Sequence, residues 1–209
     1  MDLRIVNYNA SNLGSVQKAI TNIGFTARLA ETPEEVLGAD RLVLPGVGAA
    51  GEALEQLRSL GMDEALTEAV CRNGRPLLGI CLGMQMLGEK LYEYGEHRGL
   101  GWIAGDVVPL RQVIGDELRV PHMGWNRIEP TSDLASNLSG SVRGKRDYYF
   151  AHSYTLRVDD PSVVAAYADY GEPLVAAVQW QTVFATQFHL EKSQVAGEKL
   201  LEAFLDWAP

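Results

Sequence analysis

The first half of the chain alternates between two hydrophobic patterns. Short apolar runs such as Leu3–Val6 are typical of buried strands, whereas apolar residues recur every three or four positions from 13 to 23, as in a helix. Gly24 follows as an end signal. The same alternation continues to about residue 90, with strands at 25–29, 41–44 and 76–80 and helices beginning near 33, 50 and 62. This order predicts right-handed crossovers and a parallel sheet covered by helices.

From residue 106 to 187 the pattern changes to short apolar runs that are separated by turns. A last amphipathic helix is predicted over residues 193–207. We therefore predict an α/β fold in one domain over residues 1–209. Its central sheet is mostly parallel, with helices on both faces and partly antiparallel strands in the second half. The strands predicted there are 107–110, 119–122, 126–128, 148–154, 163–170, 174–180 and 183–188.

The charge balance and the number of cysteines restrict the partners and the cellular compartment that we expect for the protein. The 27 acidic and 18 basic residues give a formal net charge of −9, which would repel a phosphate backbone, so we predict no nucleic-acid partner. The apolar stretches are too short to span a membrane, and the sequence opens without a signal-peptide pattern. Cys71 and Cys81 provide neither a disulfide framework nor a metal-binding spacing. We predict a cytoplasmic protein with no metal and no membrane contact.

One stretch carries candidate chemistry. Cys81 stands between a predicted strand and a predicted helix, and Gly79 and Gly83 lie two positions away on either side. A nucleophile elbow needs this spacing, since small residues let the strand and helix approach closely around a strained nucleophile. The positive end of the helix also favours a thiolate. The alternative is an ordinary buried cysteine, and the flanking glycines favour the nucleophile.

A glycine-rich loop precedes this stretch. Residues 46–51 formally fit the G-x-G-x-x-G dinucleotide fingerprint, but the region after the next helix shows a helical pattern where the fingerprint needs a strand with an acidic end. The alternative use is an oxyanion site, with backbone N–H groups from Val47 and Gly48 aimed at the elbow. Leu82, the residue after the nucleophile, would supply the other N–H. A purely structural turn remains a third interpretation.

The candidate base is one of only four histidines. His97 lies in a polar, glycine-rich segment and is expected to be solvated, whereas His122 and His152 lie beside strands and could be structural. His189 is predicted to end a strand, where alternation puts Glu191 on the same side. Glu191 could then orient the imidazole toward the cysteine, which would complete a nucleophile, base and acid triad.

Taken together, these motifs resemble the class I (triad) glutamine amidotransferases, and within them the glutaminase subunits of imidazole glycerol phosphate synthase. The resemblance extends through essentially the whole chain. The family usually has proline at position 190 and Asp-Tyr-Gly-x-Gly-Asn at positions 7–12, where this chain differs. The segments that carry the resemblance are Asn12-Leu13 with Ser15-Val16, Pro45-Gly46-Val47-Gly48-Ala49, Gly79-Ile80-Cys81-Leu82-Gly83-Met84-Gln85, Gly99-Leu100-Gly101, Pro121-His122-Met123-Gly124-Trp125-Asn126, Tyr149-Phe150-Ala151-His152-Ser153-Tyr154 and Gln187-Phe188-His189 with Glu191-Lys192-Ser193.

The resemblance implies hydrolysis of glutamine through a cysteine thioester, without a cofactor. It implies that ammonia passes to a (βα)₈-barrel cyclase subunit in a heterodimer that serves histidine biosynthesis. A glutaminase for a different synthase and a stand-alone γ-glutamyl hydrolase remain alternatives. By the same resemblance, the substrate-binding residues are Gly46, Gln85, Ser153 and Tyr154, and the partner interface is formed by Met123, Trp125, Tyr149 and Lys192.

Overall fold

The computed structural model describes residues 1–9, 12–131 and 146–209. Within these ranges the strands form one nine-stranded and one four-stranded sheet. The strands are β1 (Leu3–Val6), β2 (Arg28–Ala30), β3 (Arg41–Gly46), β4 (Leu77–Cys81), β5 (Lys90–Leu91), β6 (His97–Arg98), β7 (Gly105–Pro109), β8 (His122–Pro130), β9 (Arg146–His152), β10 (Tyr154–Val158), β11 (Val164–Asp169), β12 (Pro173–Trp180) and β13 (Val183–Thr186).

The large sheet combines a parallel and an antiparallel half. Its strand order is β2-β1-β3-β4-β13-β12-β11-β8-β9. The first five strands are parallel and the remaining pairs are antiparallel, so the predicted α/β class with antiparallel strands in the second half is confirmed. All five residues of β4 are buried. Because β3, β4 and β13 are parallel neighbours, the segments that follow them meet at one edge of the sheet.

Helices cover both faces of this sheet, as predicted. Successive residues of β3 point to opposite faces: Leu42 and Leu44 join one apolar cluster and Val43 joins the other. Helices α2, α3 and α4 pack on the first face, and α1 and α7 pack on the second. The helices are α1 (Leu13–Asn22), α2 (Pro33–Leu37), α3 (Ala50–Ser59), α4 (Met62–Leu66, continued by a π-helical turn at Thr67–Arg72), α5 (Leu82–Gln85), α6 (Arg111–Ile114) and α7 (Gln194–Asp206), with 3₁₀ turns at Pro161–Val163 and Leu190–Lys192.

The second half differs from the prediction in how its strands are divided. The strand predicted over 148–154 is two strands in two sheets, since β9 ends at His152 and β10 begins at Tyr154. Strands β7 and β10 belong to the small sheet, whose order is β10-β7-β5-β6, so residues 107–110 do not extend the large one. The buried side of β9 continues through Tyr148, Phe150 and His152 up to the break. The hydrophobic period therefore gives no sign of the change of sheet.

Three other boundaries also differ from the prediction. The strands predicted at 119–122 and 126–128 are one strand, β8, which pairs with β9 in unbroken register from His122 to Ile128. The strand predicted over 25–29 lies at 28–30, and the last strand stops at Thr186 rather than 188. Ala10 and Ser11, within the predicted first loop, lie outside the described residues. Among the residues that the structure describes, no helix is long and apolar enough to cross a membrane.

Candidate active site

Cys81 occupies a sharp junction between β4 and α5. Its backbone has φ +54° and ψ −107°, a conformation that costs a non-glycine residue energy and that accumulates at functional sites. The residue is 7% exposed, and its side chain lines a cavity. The strained turn therefore presents a thiol at the edge where the parallel strands end.

The glycines on either side explain how this junction closes. A Cβ atom at Gly83 would lie 1.9 Å from the carbonyl oxygen of Leu44 in β3, and a Cβ atom at Gly79 would lie 2.8 Å from Cβ of Ala185 in β13. Neither approach leaves room for a side chain. The spacing Gly-x-Cys-x-Gly thus lets the elbow pack directly against both neighbouring strands.

His189 lines the same cavity as the cysteine and Glu191 bonds to His189, but neither residue lies on a strand. The His189 backbone N–H donates to the Tyr149 carbonyl at 2.9 Å, and Nδ1 of His189 is 2.8 Å from Oε1 of Glu191. Both side chains are almost completely buried. The prediction that alternation along a strand aligns them was wrong, because β13 ends at Thr186 and the 3₁₀ turn at Leu190–Lys192 brings the carboxylate back to the ring.

The protonation of His189 reflects opposing influences. Burial alone would lower the pKa of His189, but hydrogen bonds with Cys81 and Glu191, together with their charges, raise it to about 9. The imidazole therefore carries a second proton at neutral pH. A positively charged ring beside the thiol and backed by a buried carboxylate is a suitable proton donor for a leaving group.

The predicted oxyanion residues lie beside the thiol. Strand β3 ends at Gly46, which pairs in register with Cys81. Val47 and Gly48 follow and line the same cavity, and Leu82 begins α5 on its other side. Gly48 has φ +93° with open space where a side chain would be. Residues of two chain segments therefore flank the nucleophile.

Hydrogen bonds hold this loop at both ends. The buried hydroxyl of Tyr8 donates to the Pro45 carbonyl at 2.8 Å. The backbone N–H of Ala50 donates to Oε2 of Glu93 at 2.6 Å. Burial raises the pKa of Tyr8, so the phenol remains a donor throughout the working pH range. The segment 47–49 lies between these two anchors.

A pair of glutamine side chains connects the cysteine to β10. Nε2 of Gln85 donates to the Tyr154 carbonyl at 3.0 Å and to Oε1 of Gln187 at 2.9 Å. Nε2 of Gln187 in turn donates to Sγ of Cys81 at 3.7 Å. Sequence reasoning did not select Gln187 for the site, although it stands two positions before His189. Its position close to the predicted base was the signal in the sequence that could have identified it.

The cavity beside Cys81 has a volume of about 350 Å³. It contains most of the predicted site residues together with Glu93 and His152, which sequence reasoning did not assign to the site. Gly46 does not line it; a Cβ atom there would lie 2.8 Å from Leu82 Cβ and from the Tyr8 hydroxyl, so Gly46 packs behind the cavity. The lining residues are Val47, Gly48, Cys81, Leu82, Gln85, Glu93, Pro121, Met123, Ala151, His152, Ser153, Tyr154, His189 and Lys192.

The four residues predicted for a partner interface form one patch beside this cavity. Met123 is 62% exposed and Trp125 is 49% exposed, although both are large apolar side chains. The Trp125 ring meets Tyr149 edge-on at 6.1 Å between centroids, and Nζ of Lys192 lies 5.7 Å from the Tyr149 centroid. Met123 and Lys192 also line the cavity. The patch, hereafter the aromatic patch, therefore adjoins the mouth of the site.

The G-x-G-x-x-G pattern at residues 46–51 has a structural explanation. Helix α4 occupies the region where a dinucleotide fingerprint requires a strand with an acidic end. Gly51, the third glycine of the motif, faces His97, since a Cβ atom there would lie 2.5 Å from Cε1 of the ring.

The prediction that His97 is solvated was wrong. Its side chain is part-buried, and Nε2 bonds to the Glu93 carbonyl at 2.9 Å. The described ranges contain no group of three His, Cys, Asp or Glu side chains suited to a metal.

Comparison with known proteins places the sequence among relatives of matching length. Residues 4–207 match the family model described as glutamine amidotransferase class-I. A protein of Syntrophotalea carbinolica called imidazole glycerol phosphate synthase subunit HisH is 46% identical over 205 residues, which cover 97% of this chain and 98% of the relative. The protein of the same name from Rhodospirillum rubrum is 43% identical over 216 residues, with full coverage of both chains.

Solved structures with lower identity share the fold. A structure described as "Crystal structure of glutamine amidotransferase" has a TM-score of 0.74 at 21% identity and covers 97% of each chain. The "Structure of PurLQS from Thermotoga maritima" has a TM-score of 0.76 at 17% identity, covering 98% of this chain and 97% of the other. The α/β architecture with a mixed sheet is thus common to them.

Proposed function

Because this chain belongs to the class-I glutamine amidotransferase family, we propose that it is the glutaminase subunit of an imidazole glycerol phosphate synthase. The observation that carries the proposal is the strained Cys81 elbow, which shares a cavity with His189, whose Nδ1 lies 2.8 Å from Oε1 of the buried Glu191. The relatives named above, at 43% and 46% identity, support this synthase over others. We also propose that residues 1–209 form one domain, which the family match over residues 4–207 supports.

The first half of the reaction forms a thioester. The Cys81 thiolate attacks the side-chain amide carbon of glutamine, and the carbonyl π-electrons move onto oxygen. N–H groups of Leu82 and of the Val47-Gly48 segment stabilise that oxyanion, and losing one such donor typically costs about 3 to 4 kcal/mol. The C–N bond then breaks as His189 gives its proton to nitrogen. Ammonia leaves and a glutamyl thioester remains.

The second half uses the same histidine as a base. Acylation of Cys81 removes a hydrogen bond and a charge that raise the pKa of His189, whereas burial, which lowers it, persists. The neutral ring can then take a proton from water, and the resulting hydroxide attacks the thioester carbon. Glutamate leaves as the Cys81 thiolate is regenerated.

We assign recognition of glutamine to residues that line the cavity and to Gly46, which packs behind it. Gln85 and the backbone of Ser153 and Tyr154 hold the substrate, while Gly46 allows the oxyanion loop to pack closely behind it. Glu93 is the carboxylate in the lining, so it is suited to the positive α-ammonium group of the substrate.

Release of ammonia requires a protected path, and the aromatic patch supports a docked partner. Met123 and Trp125 expose large apolar side chains. Such exposed apolar surface is typical of sites where another protein binds. We assign this surface to the (βα)₈-barrel cyclase subunit, which receives ammonia for histidine biosynthesis in a heterodimer. The reaction is placed in the cytoplasm, which the unpaired state of both cysteines supports.

The experiment that tests this function measures glutamate release from glutamine by the purified chain. It is run with the chain alone and with a histidine-pathway barrel cyclase and its nucleotide acceptor, and Cys81→Ala is the control. We expect strong stimulation that is lost in the variant. Hydrolysis that depends on Cys81 but is not stimulated would reject this synthase and leave another acceptor or stand-alone γ-glutamyl hydrolysis.

A second arm of the same experiment tests the aromatic patch. Trp125→Ala removes a half-exposed ring of the patch, so more cyclase should be needed for half-maximal stimulation. The thermal unfolding midpoint of the free chain should stay within about 2 °C, because the ring is half exposed. Equal cyclase affinity of the variant and the parent would remove Trp125 from the interface.

The raised pKa of His189 predicts the alkaline limb of the pH profile. Because this pKa is raised to about 9, the ring is protonated below that pH and loses its proton above it. We expect kcat/KM for glutamine to fall about tenfold per pH unit above about 9, as the donor for departing ammonia is lost. Glu191→Gln removes one cause of the raised pKa and should move the limb to lower pH. An unshifted limb in that variant would contradict the assignment.

A further inference from the structure

Three side chains between β8 and β9 form a hydrogen-bond chain that the triad does not include. Nδ2 of Asn126 lies 3.1 Å from Nε2 of His122, and Nδ1 of His122 lies 2.8 Å from Nε2 of His152. Nδ1 of His152 lies 2.8 Å from the Tyr154 carbonyl oxygen. Each distance is that of a normal hydrogen bond.

The direction of every bond in this chain is fixed by its first donor. The Arg127 N–H donates to Oδ1 of Asn126, so Nδ2, which can only donate, faces His122, and Nε2 of that ring accepts. The hydrogen of His122 is then on Nδ1 and is donated to Nε2 of His152, which leaves the hydrogen of His152 on Nδ1 for the Tyr154 carbonyl. Both rings are therefore neutral and protonated on Nδ1.

The surroundings favour this neutral, oriented state. His122 is 3% and His152 5% exposed, and burial lowers the pKa of His122 to about 4 and that of His152 to about 3. The His122 ring stacks on Phe150 at 4.6 Å and on Tyr170 at 4.1 Å, each with an interplanar angle of 24°. The second amide hydrogen of Asn126 is used by the Asp169 carbonyl at 2.8 Å.

The chain ends on an atom of the proposed substrate pocket. The Tyr154 carbonyl that accepts from His152 also accepts from Gln85, which bonds to Gln187 and thereby reaches Cys81. His152 itself lines the cavity, whereas His122 is not among the lining residues. Loss of the His122 imidazole would therefore break the hydrogen-bond chain to the pocket, which runs through His152 and the Tyr154 carbonyl.

We propose that His122 is a positioning residue for glutamine, acting through His152 to fix the Tyr154 carbonyl and the Gln85 amide. The proposal rests on the glutaminase function proposed above. Asn126 completes the chain by keeping Nε2 of His122 unprotonated. Because His122 does not touch the substrate, its loss should weaken glutamine binding more than it slows the chemical step.

Kinetics of two His122 variants test this role. His122→Phe preserves the stacked ring but leaves Nε2 of His152 without a donor, so KM for glutamine should rise about tenfold or more, with kcat within about threefold of the parent. His122→Asn replaces the ring but puts an amide donor near the position of Nδ1, and should restore KM to within about threefold. Phe150→Leu, which perturbs a stacking partner and leaves the chain of bonds intact, is the packing control.

The outcomes of this experiment separate the two proposals. A parent chain without Cys81-dependent glutamine hydrolysis would reject the glutaminase function itself. An active parent with an unchanged KM in His122→Phe, or with equal KM increases in His122→Phe and Phe150→Leu, would reject the positioning role alone.

Nitrogen NMR of the imidazoles provides a test on the unaltered chain. With only four histidines, ¹⁵N-histidine labelling should show His122 and His152 as neutral rings protonated on Nδ1 at pH 7, the tautomer set by the bonds above. The His152→Gln and His122→Phe variants assign the two signals. A cationic ring, or a ring protonated on Nε2, at either position would overturn the proposal.

Discussion

Replacement of Cys81 by alanine is expected to lower stimulated glutamate release by at least about 10⁴-fold. The thiol is the group that forms the covalent bond, and it stands in the cavity lining at the strained end of β4. The remaining oxyanion donors and His189 can only assist attack by water. The fold should survive, since the side chain is small and alanine keeps its Cβ atom and loses only the sulfur.

Cys71 is the matched control, because the chain has only one other cysteine. It lies in the π-helical turn at Thr67–Arg72, away from the cavity. Cys71→Ala should keep full glutaminase activity and full sensitivity to a glutamine-like alkylating reagent. Thermal unfolding of both variants reports whether either substitution disturbs the fold. Residual turnover of Cys81→Ala near the parent level would remove the thioester mechanism.

The parallel half of the fold could be predicted because its signals are local. Strand β4 is an uninterrupted buried run, and the helix around Ile20 shows its apolar face at regular spacing. The division of residues 148–154 could not be predicted in the same way. Tyr148 and Phe150 are buried with the same alternation that continues to His152, so the change of sheet is decided by pairing with β7 rather than by period.

The residues of the site also differ in whether their sequence signals are local. Cys81 and His189 could be selected from sequence because glycines or an acidic neighbour stand within two positions of each. The supports of the site could not, since their contacts join distant segments: Tyr8 bonds to a carbonyl 37 positions away, and Glu93 accepts from a backbone N–H 43 positions away. Such contacts form only when the sheet assembles, and the hydrophobic pattern of the sequence does not indicate them.

The elbow also determines stability, and Gly83→Ala should show this most strongly. The new Cβ atom would lie 1.9 Å from the Leu44 carbonyl oxygen, which is part of the backbone of β3 and cannot rotate away. The strand and the elbow must separate, so we expect a loss of about 3 kcal/mol or more in the free energy of unfolding. For a chain of this size, that corresponds to a fall of roughly 6 to 12 °C in Tm.

The matched control for Gly83 is Gly14, a glycine within α1 where an added Cβ atom would meet nothing within 4 Å. Gly14→Ala should raise the free energy of unfolding by about 0.5 to 1 kcal/mol, since alanine is the better helix former. Opposite signs in calorimetry of the free chain would show that the close approach at the elbow, and not glycine as such, is required. If Gly83→Ala unfolds within about 1 °C of the parent, β3 and the elbow do not meet as closely as the structure has them. The glutaminase rate of that variant would then also remain near that of the parent, because Leu82 keeps its place beside the thiol.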